Sequence, residues 1–118
     1  MMKSQRKKIV VVSRDAKLAQ LRKTVLETAG FEVLPAKDPE TVRKACIEQK
    51  PHLVMVGYSV PPAQKRRVWV EVREHCKTPV LELHKGEKPT LISPAYFHQA
   101  VSPDDFLIRV QELVAAEL

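Results

Sequence analysis

Ile9-Val10-Val11-Val12 is an unbroken β-branched run. It has the pattern of a strand buried on both faces of a parallel sheet. Asp15 follows as a helix N-cap. Leu18, Leu21, Val25 and Ala29 then recur at helical spacing up to Gly30, which supplies the C′ stop. Phe31–Leu34 predicts a short second strand. Asp38-Pro39 reads as an N-cap with proline at N1, opening a second helix through Val42, Ala45, Cys46 and Gln49 as far as Pro51. Leu53–Val56 is a third strand, closed by Gly57 and followed by the pair Pro61-Pro62.

The next stretch fits two periods. Val68, Val70 and Val72 alternate like a strand, while Trp69, Val72 and Cys76 fall at helical spacing. Helix is the better reading, because a parallel strand pair needs a crossover. Pro79–Leu83 predicts the fourth strand, with Glu82 marking one face as less buried. From Lys85 to Thr90 the pattern is polar and broken by Gly86 and Pro89, which leaves room for only a short turn within 90–95. Tyr96–Ala100 predicts a fifth strand. Ser102-Pro103-Asp104-Asp105 announces a last helix, with cap, N1 proline and first-turn acids. Phe106, Leu107, Val110, Leu113, Val114 and Glu117 lie on its apolar stripe. This alternation implies an α/β domain with a parallel sheet covered on both faces.

At 118 residues the chain suits one domain; residues 1–7 read as a basic tail and 8–118 as the domain. Without a membrane span or signal-peptide core, the expected location is the cytoplasm. Cys46 and Cys76 are too far apart for a metal motif and read as small buried hydrophobes without a disulfide. His52, His75, His84 and His98 lack ligand spacing, no phosphate-binding glycine loop is present, and no cofactor is expected. The formal charge is +6. The excess gathers at Arg6, Lys7 and Lys8 and at Lys65, Arg66 and Arg67, the candidate contacts for an anion or nucleic acid. Solvated surface charge is the plainer reading of both clusters.

Three segments resemble response-regulator receiver domains of the CheY-like kind. Ile9–Asp15 looks like the first strand and its acidic ending. Pro51–Pro61 looks like the third strand through the proline beyond the phosphoacceptor. Tyr96–Val110 looks like the fifth strand and final helix. The resemblance covers roughly Lys8 to Leu118. It implies a flavodoxin-like, five-stranded sheet in the order 2-1-3-4-5, with the fourth helix short or missing.

Receiver chemistry uses an acid pair for Mg²⁺, an aspartate nucleophile, a hydroxyl and a lysine. At the matching positions this chain carries Ser13 and Arg14, Gly57, His84, and Gln99. The resemblance therefore implies a degenerate pseudo-receiver in which each required group is replaced. A cation at Arg14 would repel Mg²⁺, by about 4 kcal/mol for one unit pair at 4 Å. Arg14 either shares an anion pocket with His84 or points to solvent. The implied role is signalling through an unidentified protein partner, with a homodimer also open, and without catalysis. Tyr96, Phe106, Leu107 and Val110 are the candidate partner surface.

Overall fold

The computed structural model describes residues 6–86, 88–91, 96–99, 102 and 104–116. Its elements are β1 (Lys8–Val12), α1 (Ala16–Thr28), β2 (Glu32–Ala36), α2 (Pro39–Gln49), β3 (Leu53–Val56), α3 (Pro62–His75), β4 (Val80–His84), β5 (Tyr96–Gln99) and α4 (Leu107–Ala116). The sheet is parallel throughout, in the order β2-β1-β3-β4-β5. This is the expected flavodoxin-like order. Among the described residues no helix separates β4 from β5; most of the turn expected within 90–95 lies outside them, as does Ala100.

Strand side chains alternate between two apolar layers. Ile9, Val11, Leu53, Met55, Leu81 and Leu83 pack with Leu26 of α1 and with Phe106, Val110, Leu113 and Val114 at the C-terminal end. Val10, Val12, Val54, Val56 and Val80 pack with Val42 and Cys46 of α2 and with Val68 and Val72 of α3. The ambiguous 62–75 stretch is helical. Val68 and Val72 are buried four residues apart while Val70 is 44 % exposed, a distribution that a strand, with all three on one face, does not allow. The caps form as the side chains require: Asp15 Oδ1 accepts from Leu18 N (3.0 Å) and Asp38 Oδ1 from Thr41 N (2.7 Å).

Four expectations need correction. First, α1 is rotated from its expected phase: Leu21 is 46 % exposed and Ala29 lies outside the core, whereas Arg22 and Leu26 are the buried residues. The inward stripe is Leu18, Arg22, Val25 and Leu26, a regular i, i+4, i+7, i+8 face that an arginine disguises. Second, Glu82 is fully buried, so β4 has no wet face at that position. Third, Cys46 and Cys76 are joined in a disulfide with Cα atoms 5.1 Å apart. Their helices run side by side on one face of the sheet, and that adjacency is not written in the spacing of two cysteines.

Fourth, Ser102 does not open the last helix directly. Asp105 N donates to Ser102 O (3.2 Å) and Leu107 N to Asp104 O (3.1 Å). Three-residue bonds of this kind make a tight turn first, and α4 begins only at Leu107.

Candidate functional site

Parallel strands bring all their carboxyl ends to one edge of the sheet, where open α/β folds place their ligands. Ser13 and Arg14 follow β1, Gly57 follows β3, and His84 and Gln99 end β4 and β5. Gly57 N donates to Val12 O (2.9 Å) and Arg14 N to Ser59 Oγ (3.3 Å), which joins the first two loops. Gln99 pairs with His84 across β4 and β5, so it stands two strands away from Gly57 and is exposed.

Two of these side chains turn to local work. Ser13 Oγ donates to Asp15 O (3.1 Å) and accepts from Asp15 N (3.2 Å), bracing the start of α1. Arg14 lies outward, with Nη1 donating to Gln64 Oε1 (2.9 Å). Of its two readings, the structure supports the solvent-facing one.

The cation in the pocket is Arg22, which sequence reasoning overlooked. It is 3 % exposed. A side chain begun at Gly57 would collide with Arg22 Nη1 and press on Val12 O at 3.3 Å. The backbone at Gly57 does not need left-handed geometry; what it needs is the space that Arg22 fills. The guanidinium stands over the Tyr58 ring, 5.1 Å from Cζ to centroid, a favourable placement for a cation. Lys85 Nζ lies 5.6 Å from the same ring. Burial lowers the pKa of Arg22, while Tyr58 and then Asp15 act to raise it; arginine remains protonated in proteins regardless. Arg22 Nη1 and His84 Nδ1 are buried without a hydrogen-bond partner among the described residues.

A second buried cation lies on the opposite face. Lys65, expected in a surface cluster, is 2 % exposed, and its Nζ donates to Glu82 Oε2 at 2.9 Å. The same carboxylate accepts from Thr90 N (2.9 Å) and Leu91 N (2.8 Å). It thereby ties α3 and β4 to the loop that leads toward β5. Lys65 lies three and seven residues before the apolar Val68 and Val72, on the same helical stripe, and that spacing is the one sequence signal that could have revealed this inward placement.

The basic clusters shrink accordingly. Arg66 and Arg67 remain exposed, and Arg6 is exposed at the start of the described chain. Lys7 is half-buried, and Lys8 Nζ donates to Gln49 Oε1 (3.1 Å). The partner surface shrinks as well. Phe106 is 1 % exposed and Val110 is fully buried, so both belong to the core. Tyr96 is exposed with Arg109 over its ring, Leu107 is half-buried, and Ile108, missed in the stripe, is 70 % exposed. Glu71, Glu74 and His75 also come close together at the end of α3, where Glu71 already meets Arg43 (3.8 Å) and His75 (3.4 Å).

The fold is that of CheY-like receiver domains. A putative-named response regulator of Chloroflexus aurantiacus superposes with a TM-score of 0.77 at 22% identity, covering 94% of this chain and 99% of that one. The receiver domain of a Francisella response regulator gives 0.76 at 21%, covering 95% and 99%. A receiver domain protein of Methanospirillum hungatei gives 0.76 at 16%, covering 96% and 97%. In sequence, the chain is 24% identical over 113 residues to the transcriptional regulatory protein SrrA of Staphylococcus aureus. That match takes in 90% of this chain and 47% of the relative, so the chain spans about half the length of the curated relatives it matches. No family model matches the chain. No helix among the described residues is long and apolar enough to cross a membrane.

Proposed function

We propose that this domain is a receiver-like signalling module of the pseudo-receiver kind, acting through protein–protein contact and not through aspartyl phosphorylation. The observation that carries the reading is steric and electrostatic at once. The space beside Gly57, where a phosphoacceptor side chain would begin, is filled by the Arg22 guanidinium. Gly57 offers no nucleophile, and the group next to it is a cation that repels a metal.

The residues present do not fit Mg²⁺, which asks for hard oxygen ligands in octahedral array. Ser13 is committed to Asp15, Arg14 takes the place of an acid, and the Asp15 carboxylate accepts from Leu18 N as a cap. On this reading the domain is not an enzyme, and its output comes from a constant shape. The exposed Tyr96 and Ile108, with the half-buried Leu107, are the apolar residues on offer to a signalling partner or a second copy, in place of the buried Phe106 and Val110.

Intact-mass measurement after incubation with acetyl phosphate and Mg²⁺ tests the core of the proposal. The expected result is an unchanged mass. A stable adduct of one phosphoryl group overturns it.

A further inference from the structure

We propose that the carboxyl edge of the sheet is a binding site for a small oxyanion, of the phosphate or carboxylate kind, with the Arg22 guanidinium as its anchor. The inference goes beyond the proposed signalling role and does not depend on it. It rests on how Arg22 is held.

A buried charge is costly unless it is paired and hydrogen-bonded, and buried polar atoms in folded proteins almost always find a partner. Arg22 is 3 % exposed, its Nη1 has no hydrogen-bond partner among the described residues, and no carboxylate is in ion-pair contact with it among them. The Tyr58 ring offers a π-face only. Elsewhere this fold pairs a buried cation with a carboxylate, Lys65 Nζ meeting Glu82 Oε2 at 2.9 Å. A guanidinium with Nη1 unmatched at a ligand-binding edge is therefore a specific gap.

The surroundings define what fills it. Lys85 meets the same aromatic ring as Arg22, and the neighbouring His84 holds a second buried nitrogen without a partner, Nδ1. Asp15, the nearby acid, has Oδ1 engaged by Leu18 N. The edge that would hold acids and a metal in a phosphorylated receiver thus carries Arg22, Lys85 and His84. A planar guanidinium fork matches the paired oxygens of a carboxylate or phosphate. Tyr58 is half-buried and Lys85 exposed, so an anion reaching Arg22 would approach past these two side chains.

The test titrates inorganic phosphate into the full chain at constant ionic strength balanced with chloride, followed by backbone amide shifts. Saturable shifts centred on Gly57, Tyr58, His84 and Lys85 are expected. Arg22→Met should weaken binding by about tenfold or more. Arg22→Lys, which keeps the charge but loses the fork, should bind several-fold more weakly than the parent. Arg14→Ser should bind as the parent does. A parallel acetate titration separates the sources: shifts of the same amides by both anions define a general oxyanion site, and shifts by phosphate alone define a phosphate site. Non-saturating shifts in the parent overturn the proposal. So does parent-like affinity in Arg22→Met, or in Arg22→Lys should the methionine variant not fold.

Discussion

Lys65 and Arg22 are both cations withdrawn from water, and the protein treats them in opposite ways. Lys65 lies beneath α3 with a carboxylate at 2.9 Å, and that carboxylate also binds two backbone N–H groups. Arg22 lies beneath α1 against an aromatic ring, with Nη1 unmatched among the described residues. A fully matched buried charge locks neighbouring elements together. An unmatched one lowers stability and keeps a binding capacity in reserve. The contrast separates a structural cation from a functional one without reference to any relative.

The largest effect is expected at the matched pair. Glu82→Leu should lower unfolding free energy by about 3–5 kcal/mol in urea titrations, because it strands a buried ammonium. Adding Lys65→Met should recover only part of the loss, since Thr90 N and Leu91 N still lack their acceptor. Full recovery would reduce Glu82 to a partner of Lys65 alone.

The crosslink on the same face comes next. Cys46 and Cys76 are 30 residues apart in sequence, and opening a loop of that size should cost about 3–4 kcal/mol by the chain-entropy relation. Comparing Cys46→Ser/Cys76→Ser with Glu82→Leu shows whether the crosslink or the ion pair contributes more to holding that face.

Arg22→Met should behave in the opposite sense. Without added oxyanion it should hold stability level or raise it by about 1 kcal/mol or more, as apolar replacements of buried charges do. A clear loss in thermal unfolding would break the comparison between the two cations.

The smallest effect concerns a charge at the surface of the edge. Hydrogen bonds from Thr41 Oγ1 (2.6 Å) and Thr41 N (2.7 Å) hold the Asp38 pKa below its ordinary value. A lowered folded-state pKa means a contribution that is complete above the ordinary carboxylate range and is lost as pH falls through the lowered value. Asp38→Ala should cost about 1 kcal/mol near neutrality, and the gap to the parent should close in acid.

Much of the architecture is legible in the chain because local signals agree with one another. The valine runs, the caps at Asp15 and Asp38, and Pro39 at N1 all point to the same sheet. What stays hidden is long-range. Leu21 looks like a core residue and Arg22 like a surface one, and only packing against the sheet reverses them. Lys65 reads as part of a basic cluster because its partner, Glu82, lies in a different element. The disulfide likewise depends on two helices meeting. In the site, the positions of Ser13, Arg14, Gly57, His84 and Gln99 follow from strand order, whereas the residue that fills the space beside Gly57 comes from the helix between β1 and β2.

The contact between Gly57 and Arg22 also bears on descent. Gly57→Asp as a first step would drive a new Cβ into a guanidinium and against Val12 O. Replacing Arg22 first with a smaller residue removes the nearer contact and leaves only Val12 O, at 3.3 Å. The two positions are therefore coupled: the order of change decides whether the Arg22 side chain must shift, while the contact with Val12 O is met in either order. Gly57→Asp alone would have to move the end of the Arg22 side chain, whereas the same change after Arg22 is shortened would not.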